Sequence, residues 1–185
     1  MNRKLASTLA LSTAAALAVA APAAAARPAD KPMSAKSQGA QVHKVRLTEL
    51  NDSGVTGKAV LVQKDGSLRV KLQARDLVPD MLHPQHIHGL AGSNNGTCPP
   101  PSAAGGDGVL TLADGLPFYG PVLQPLTQSP MDDFPTADNG KINYRETFAV
   151  DGDLADLSDE VIVVHGGYVD GEYVATLPVA CGEID

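Results

Sequence analysis

The chemistry in this sequence is concentrated in Leu82-His83-Pro84-Gln85-His86-Ile87-His88-Gly89. On an extended strand His86 and His88 point to one face, about 7 Å apart, while Ile87 points to the other. Two imidazoles placed this way can reach one metal ion, and imidazole suits copper, zinc, nickel and iron. An H-x-H pair is a weak signal alone, because short motifs often match by chance. A third histidine strengthens it. His165 closes the apolar run Val161-Ile162-Val163-Val164, although a strand-end histidine satisfied by its neighbours is the plain alternative. His83 is an odd number of residues from His86, with Pro84 between them. It is therefore expected to support the site or steady the loop, not to ligate. Three neutral imidazoles favour copper over zinc in the general affinity order. To share an ion, their nitrogens must come within about 4–5 Å of one another.

The elements that must position these side chains read as strands. Leu68, Val70, Leu72 and Ala74 alternate with Arg69, Lys71, Gln73 and Arg75, a strand with one wet face. Lys64-Asp65-Gly66 before it is a hairpin signal. Val45 and Leu47 alternate with Lys44, Arg46 and Thr48 in a first strand. Asp138-Asn139-Gly140 marks a turn into Ile142, Tyr144, Phe148 and Val150, again at even spacing. The β-branched run 161–164 is apolar on both faces, which predicts a central strand. Val169-Asp170-Gly171 predicts a further hairpin turn. Outside the N-terminus no helical period stands out. Short strands punctuated by Gly, Pro and Asp predict an all-β antiparallel sandwich or barrel. Cys98 to Pro135 is rich in Pro and Gly and reads as one long connection, with a short helical turn near Leu110–Leu116. Gly105-Gly106-Asp107-Gly108 has the look of a calcium loop but too few oxygen ligands, so a Gly-rich turn is expected. The acidic stretch Asp151 to Glu160 reads as a solvated loop.

The N-terminus predicts export. Arg3 and Lys4 precede an apolar run from Leu5 to about Ala21, and Ala21-Pro22-Ala23-Ala24-Ala25-Ala26 offers A-x-A cleavage frames. That order is a secretory signal, here residues 1–26. It is too short and too diluted by Ala and Thr for a membrane span, and no later stretch could cross. Residues 27–41 read as a flexible leader, leaving 42–185 as one domain able to bury a core. Net charge is −7, which argues against nucleic acid and is consistent with solubility. The chain has two cysteines, Cys98 and Cys181. In an exported chain an even pair suggests a disulfide, closing a loop of over 80 residues. Free thiols or metal ligation are the alternatives, though neither cysteine sits in a C-x-x-C spacing.

Several landmarks together resemble the copper/zinc superoxide dismutases. Leu-His-x-x-His-x-His at 82–88 is similar to that family's first copper-binding strand, and Val163-Val164-His165 to its later ligand strand. Thr136-Ala137-Asp138-Asn139-Gly140 resembles the segment after its zinc loop. Ala180-Cys181-Gly182 resembles its C-terminal strand, and Cys98 the loop cysteine that pairs with it. The resemblance runs from about Val45 to Ile184. It implies an antiparallel Greek-key β-sandwich or barrel, copper held by His86, His88 and His165, a Cys98–Cys181 disulfide, and superoxide as substrate.

The departures bear on mechanism. The family's bridging histidine shortly after the loop cysteine has no counterpart in Pro99 to Asp107, and its other zinc histidines are missing; Asp132 and Asp133 lie near where its zinc aspartate would fall, but Gln128 stands near the place of a histidine. No zinc is expected. Pro178 occupies the place of the family's anion-attracting arginine. Copper can cycle between oxidation states, as dismutation requires; zinc cannot. Without the bridging histidine one proton route is lost, and without the arginine a focusing charge. The alternative is a non-catalytic secreted β module, since His86-Ile87-His88-Gly89 also resembles the bacterial CHRD domain. Copper storage or delivery lacks the Met-rich tract it would use, for the chain has four Met including Met1.

Overall fold

The computed structural model describes residues 39–90, 95–127, 133–149, 154 and 156–185. The expected signal segment and all but the last residues of the expected leader lie outside them, as do Gln128, Asp132 and Val150. Gly39 and Ala40 belong to no element, and the first strand begins at Gln41, one residue inside the expected leader.

The elements are β1 (Gln41–Glu49), β2 (Thr56–Lys64), β3 (Ser67–Arg75), β4 (Gln85–His88), α1 (Leu112–Tyr119), β5 (Val122–Pro125), β6 (Lys141–Ala149), β7 (Val161–Val169) and β8 (Glu172–Glu183). All strand pairs are antiparallel. The order is β5-β4-β7-β8-β1-β2-β3-β6, one continuous curled sheet. β1 is the joint. Gln41 to Leu47 pair with β2, while Thr48 and Glu49 pair with Ala180 and Cys181 of β8.

The alternation read from the sequence places the core. Val45, Leu47, Leu61, Leu68, Val70 and Leu72 from one half of the sheet pack with Ile87, Ile162, Val164, Val179 and Ala180 from the other. β7 lies between β4 and β8, and its residues 161–167 are all buried, as an apolar run on both faces requires. Three expected turns form with paired positive φ angles, at Asp65-Gly66, Asn139-Gly140 and Asp170-Gly171. Asp-Gly and Asn-Gly tolerate that geometry, which matches the strand twist of a two-residue hairpin.

The 98–135 connection holds more structure than its composition suggests. Pro101–Ala103 is a 3-10 turn. α1 runs three residues past the expected turn, started by a reciprocal cap between Thr111 and Asp114. β5 lies where the sequence predicts only connection. It is four residues long and includes Pro125, which an edge strand tolerates because one side of its backbone needs no partner. The acidic stretch is only partly a solvated loop. Leu154 and Leu157 enter the core, and Glu160 is buried, its carboxylate packed against Gly89. Two leucines spaced by three outweighed the surrounding charge.

Candidate metal centre

β4 and β7 are paired so that His86 faces Val163 and His88 faces Val161 across the strands. Cross-strand partners share a face, so β4 presents both histidines where β7 presents Val161, Val163 and then His165. That face turns away from the core, because Ile87, Ile162 and Val164 fill the core side. At His165 the β7–β8 register shifts twice, with Gly166 between at φ 106°. A bulge of this kind re-aims a side chain. Gly166 cannot be replaced without collision, since a Cβ there would overlap the Tyr173 hydroxyl and the His83 ring.

One ring nitrogen from each of His86, His88 and His165 lies within 4.8 Å of the others. Two of the rings are fixed from behind. His88 Nδ1 is 2.9 Å from the Gly120 carbonyl, and His165 Nδ1 is 3.0 Å from the Thr176 carbonyl. A carbonyl only accepts, so both Nδ1 atoms carry the proton and both Nε2 atoms carry a lone pair. These Nε2 atoms and His86 Nδ1 are buried and have no hydrogen-bond partner. Buried nitrogens without partners are costly, and one on each of three histidines grouped this closely is explained by a shared ligand. A metal about 2 Å from each needs the rings to close by less than about 1 Å. The residues present therefore fit a metal held by three imidazoles.

The walls are aromatic. Tyr119 packs on His88 with ring centroids 4.7 Å apart, and Phe134 packs edge-on to His86 at 5.1 Å. Tyr119 is held by its hydroxyl, which donates to the Leu112 carbonyl, and Gly115 leaves the space its ring fills. α1 thus supplies both the Tyr119 wall and, through Gly120, the acceptor that orients His88. Sequence reasoning missed Tyr119, Gly120, Phe134 and Thr176. Only the Thr111-x-x-Asp114 cap could have pointed to the helix that carries the first two.

His83 is fully buried and stands outside the three-histidine group. Its ring nitrogens face the carbonyl oxygens of His165, at 2.9 Å, and Val78, at 3.0 Å. It ties the His165 bulge to the loop before β4. Cys98 and Cys181 form a disulfide. Cys181 sits opposite Val163 on β8, so the bond anchors the 95–120 segment directly beside the histidines. Near the place of the family's zinc aspartate, Asp133 is exposed and Asp132 lies outside the described residues.

Burial sets the protonation. His86 is pushed down from 6.5 to about 4, by burial first and then by the neighbouring His88. His88 is lowered by burial, partly opposed by its bond to Gly120. His165 is pushed down to about 3, by burial and then by the other two rings. All three are neutral at pH 7, the form that ligates. Each binds a proton more readily when unfolded, so stability is complete above about pH 6.5 and falls as pH drops toward 4. Metal-free protein should show a lower urea midpoint at pH 5 than at pH 7.5. Replacing His86 and His88 with Gln should flatten that difference; an unchanged difference would mean the imidazoles are not held neutral.

Among known proteins, no family model matches this chain and no curated protein matches it significantly.

Proposed function

We propose that this is a secreted copper-binding protein whose body is a Greek-key β-sandwich of the superoxide dismutase kind. In this reading His86, His88 and His165 hold a single copper with no zinc beside it, and superoxide is the substrate. The observation that carries it is the convergence of three imidazoles, each with a buried, unpartnered nitrogen and two with their tautomer set by backbone carbonyls. Outer hydrogen bonds of this type orient ligands and raise their basicity. Three imidazoles without thiolate or carboxylate suit copper. Copper would supply one-electron redox chemistry there.

The protein's own residues do the rest. Gly120 and Thr176 fix the ring planes. Tyr119 and Phe134 exclude water from two sides. His86, the least buried of the three, marks the side from which a small anion could enter. The signal-like N-terminus and the Cys98–Cys181 disulfide are consistent with export.

One observation favours the alternative, a non-catalytic secreted metal-binding module like the CHRD domain. β4, β5, β7, β8 and α1 carry no Lys or Arg, and Pro178 lies directly opposite His165. Nothing on these elements focuses an anion.

Metal analysis of protein purified from its natural compartment, with a superoxide assay on the same sample, tests the reading. Near one copper per chain and superoxide removal abolished by chelation are expected. Copper without activity would favour the non-catalytic module, and zinc or no metal would overturn the copper assignment.

A further inference from the structure

A second feature stands on the opposite side of the molecule and is independent of the metal site. Every Lys and Arg beyond Gly39 lies on β1, β2, β3 or β6. The register puts them all on one face. One cross-strand row reads Lys44, Val60, Lys71, Arg145, and the next reads Arg46, Lys58, Gln73, Asn143. Lys64, Arg69, Arg75 and Lys141 occupy further positions of the same parity. All nine are exposed, and no carboxylate occupies that face of the four strands. The partners at the opposite parity, such as Val45, Leu61, Val70 and Ile142, are in the core. Among the described residues only Lys64 and Arg75 form ion pairs, each with the next residue in sequence, Asp65 and Asp76. A chain of net charge −7 thus keeps its folded-domain cations on one sheet surface.

At strand dimensions this surface is about 30 Å long and 15 Å wide. A shallow trough of about 480 Å³ lies in it, bordered by Arg46, Lys58, Arg75 and Lys141 with the amides of Gln73 and Asn143 between them. Gln73 donates to Asn143 Oδ1 at 2.7 Å, which leaves the Asn143 amide hydrogens as donors. Lysine, arginine and amide donors along a trough fit a chain of anionic groups.

We propose that this face binds an acidic polysaccharide, laid across the four strands with sulfate or carboxylate groups in the trough and on the cross-strand rows. Other partners fit the chemistry less well. The face has no aromatic side chain on which a nucleobase could stack, as single-stranded nucleic acid binding uses. Its apolar members are only Val42, Val60, Val62 and Ala149, too small to enter a bilayer. Among the described residues a second copy would offer carboxylates on turns, such as Asp138 and Asp170, and not a matching anionic face. Because the core separates this face from the histidines, a bound polymer leaves the metal centre open.

The test is heparin binding as a function of salt. The probe is a heparin column followed by titration with a heparin oligosaccharide, comparing the protein with the variant Lys44→Gln, Lys58→Gln, Lys71→Gln, Arg145→Gln. These side chains are exposed, so the variant should keep its thermal midpoint and copper content. Wild type should be retained at 50 mM NaCl and released by added salt. The variant should bind about tenfold or more weakly at 0.1 M NaCl, with a shallower dependence on log salt, since each lost ionic contact releases fewer ions. Flow-through of the wild type, or equal retention of the variant, would overturn the proposal. So would tighter binding to oligo-dT or to phosphatidylglycerol vesicles, or self-association that the variant abolishes without any heparin binding.

Discussion

The His86→Ala, His88→Ala double variant is expected to lose high-affinity copper binding while keeping its fold. Two of the three nitrogens proposed to ligate disappear, so the loss should exceed the 10–100-fold that removal of an outer hydrogen-bond partner typically costs. Stability should respond differently. In the metal-free protein the two removed rings carry buried nitrogens without partners, His86 Nδ1 and His88 Nε2. Deleting them relieves two desolvated nitrogens but loses the packing of both rings, and leaves the Gly120 carbonyl without its donor, a cost of about 1–3 kcal/mol. Strand pairing of β4 with β5 and β7 is unaffected, because it uses backbone groups. Copper should therefore raise the thermal midpoint of the wild type by mass action and leave that of the variant unmoved. Circular dichroism with copper titration, followed by electron paramagnetic resonance, checks both. Retained tight binding would remove the three-histidine centre from consideration. A variant that unfolds would leave His165→Gln, conservative in size and not on β4, to carry the same measurement.

How far the sequence reveals this site depends on period. His86 and His88 could be assigned to one face because a strand repeats every two residues, and β4 obeys that rule, with Ile87 in the core. His165 follows from the same rule applied to 161–165, all the way to the bulge, where Gly166 alone hints that the strand is re-aimed. Hairpins at Asp65-Gly66 and Asp170-Gly171 were legible because few residue pairs tolerate two positive φ angles. The curvature of the sheet was not legible. It depends on β1 leaving β2 for β8 after Leu47, and nothing in Leu47-Thr48-Glu49 marks that exchange. β5 was hidden because an edge strand ended by Pro125 shows neither alternation nor β-branched enrichment. Tyr119 and Gly120 reach His88 only through tertiary packing, which no local pattern encodes. The basic face is the reverse case. Its cations alternate with core residues in plain view, but only the register shows that four strands bring them to one surface.

Removing the disulfide should be the most damaging change to stability. Cys98 and Cys181 are separated by 83 residues, and a crosslink of that span restricts the unfolded chain by about 4–4.5 kcal/mol in the loop-entropy treatment. For a domain of this size that corresponds to a drop of roughly 10–15 °C in thermal midpoint. The Cys98→Ser, Cys181→Ser variant should show it in a thermal melt without reductant. The loss has a second, local component. Cys181 is fully buried on β8 opposite Val163, and Tyr119, Val161 and Val163 pack with it in one apolar cluster. The backbone of the 95–120 segment is held there by Gly96 N–H to Asp159 O at 2.7 Å and by Thr97 N–H to Phe118 O at 3.0 Å. The second of these bonds runs to the last turn of α1, which carries Tyr119 and ends at Gly120. Cutting the crosslink therefore loosens the acceptor that orients His88 as well as the wall beside it. Copper affinity should fall in the serine variant even at a temperature where it is fully folded, by about 10–100-fold if Gly120 acts as an outer partner of the metal. An affinity unchanged at 15 °C, together with the expected drop in thermal midpoint, would show that the disulfide only restrains the unfolded chain and that the Gly120 contact is set by α1 alone.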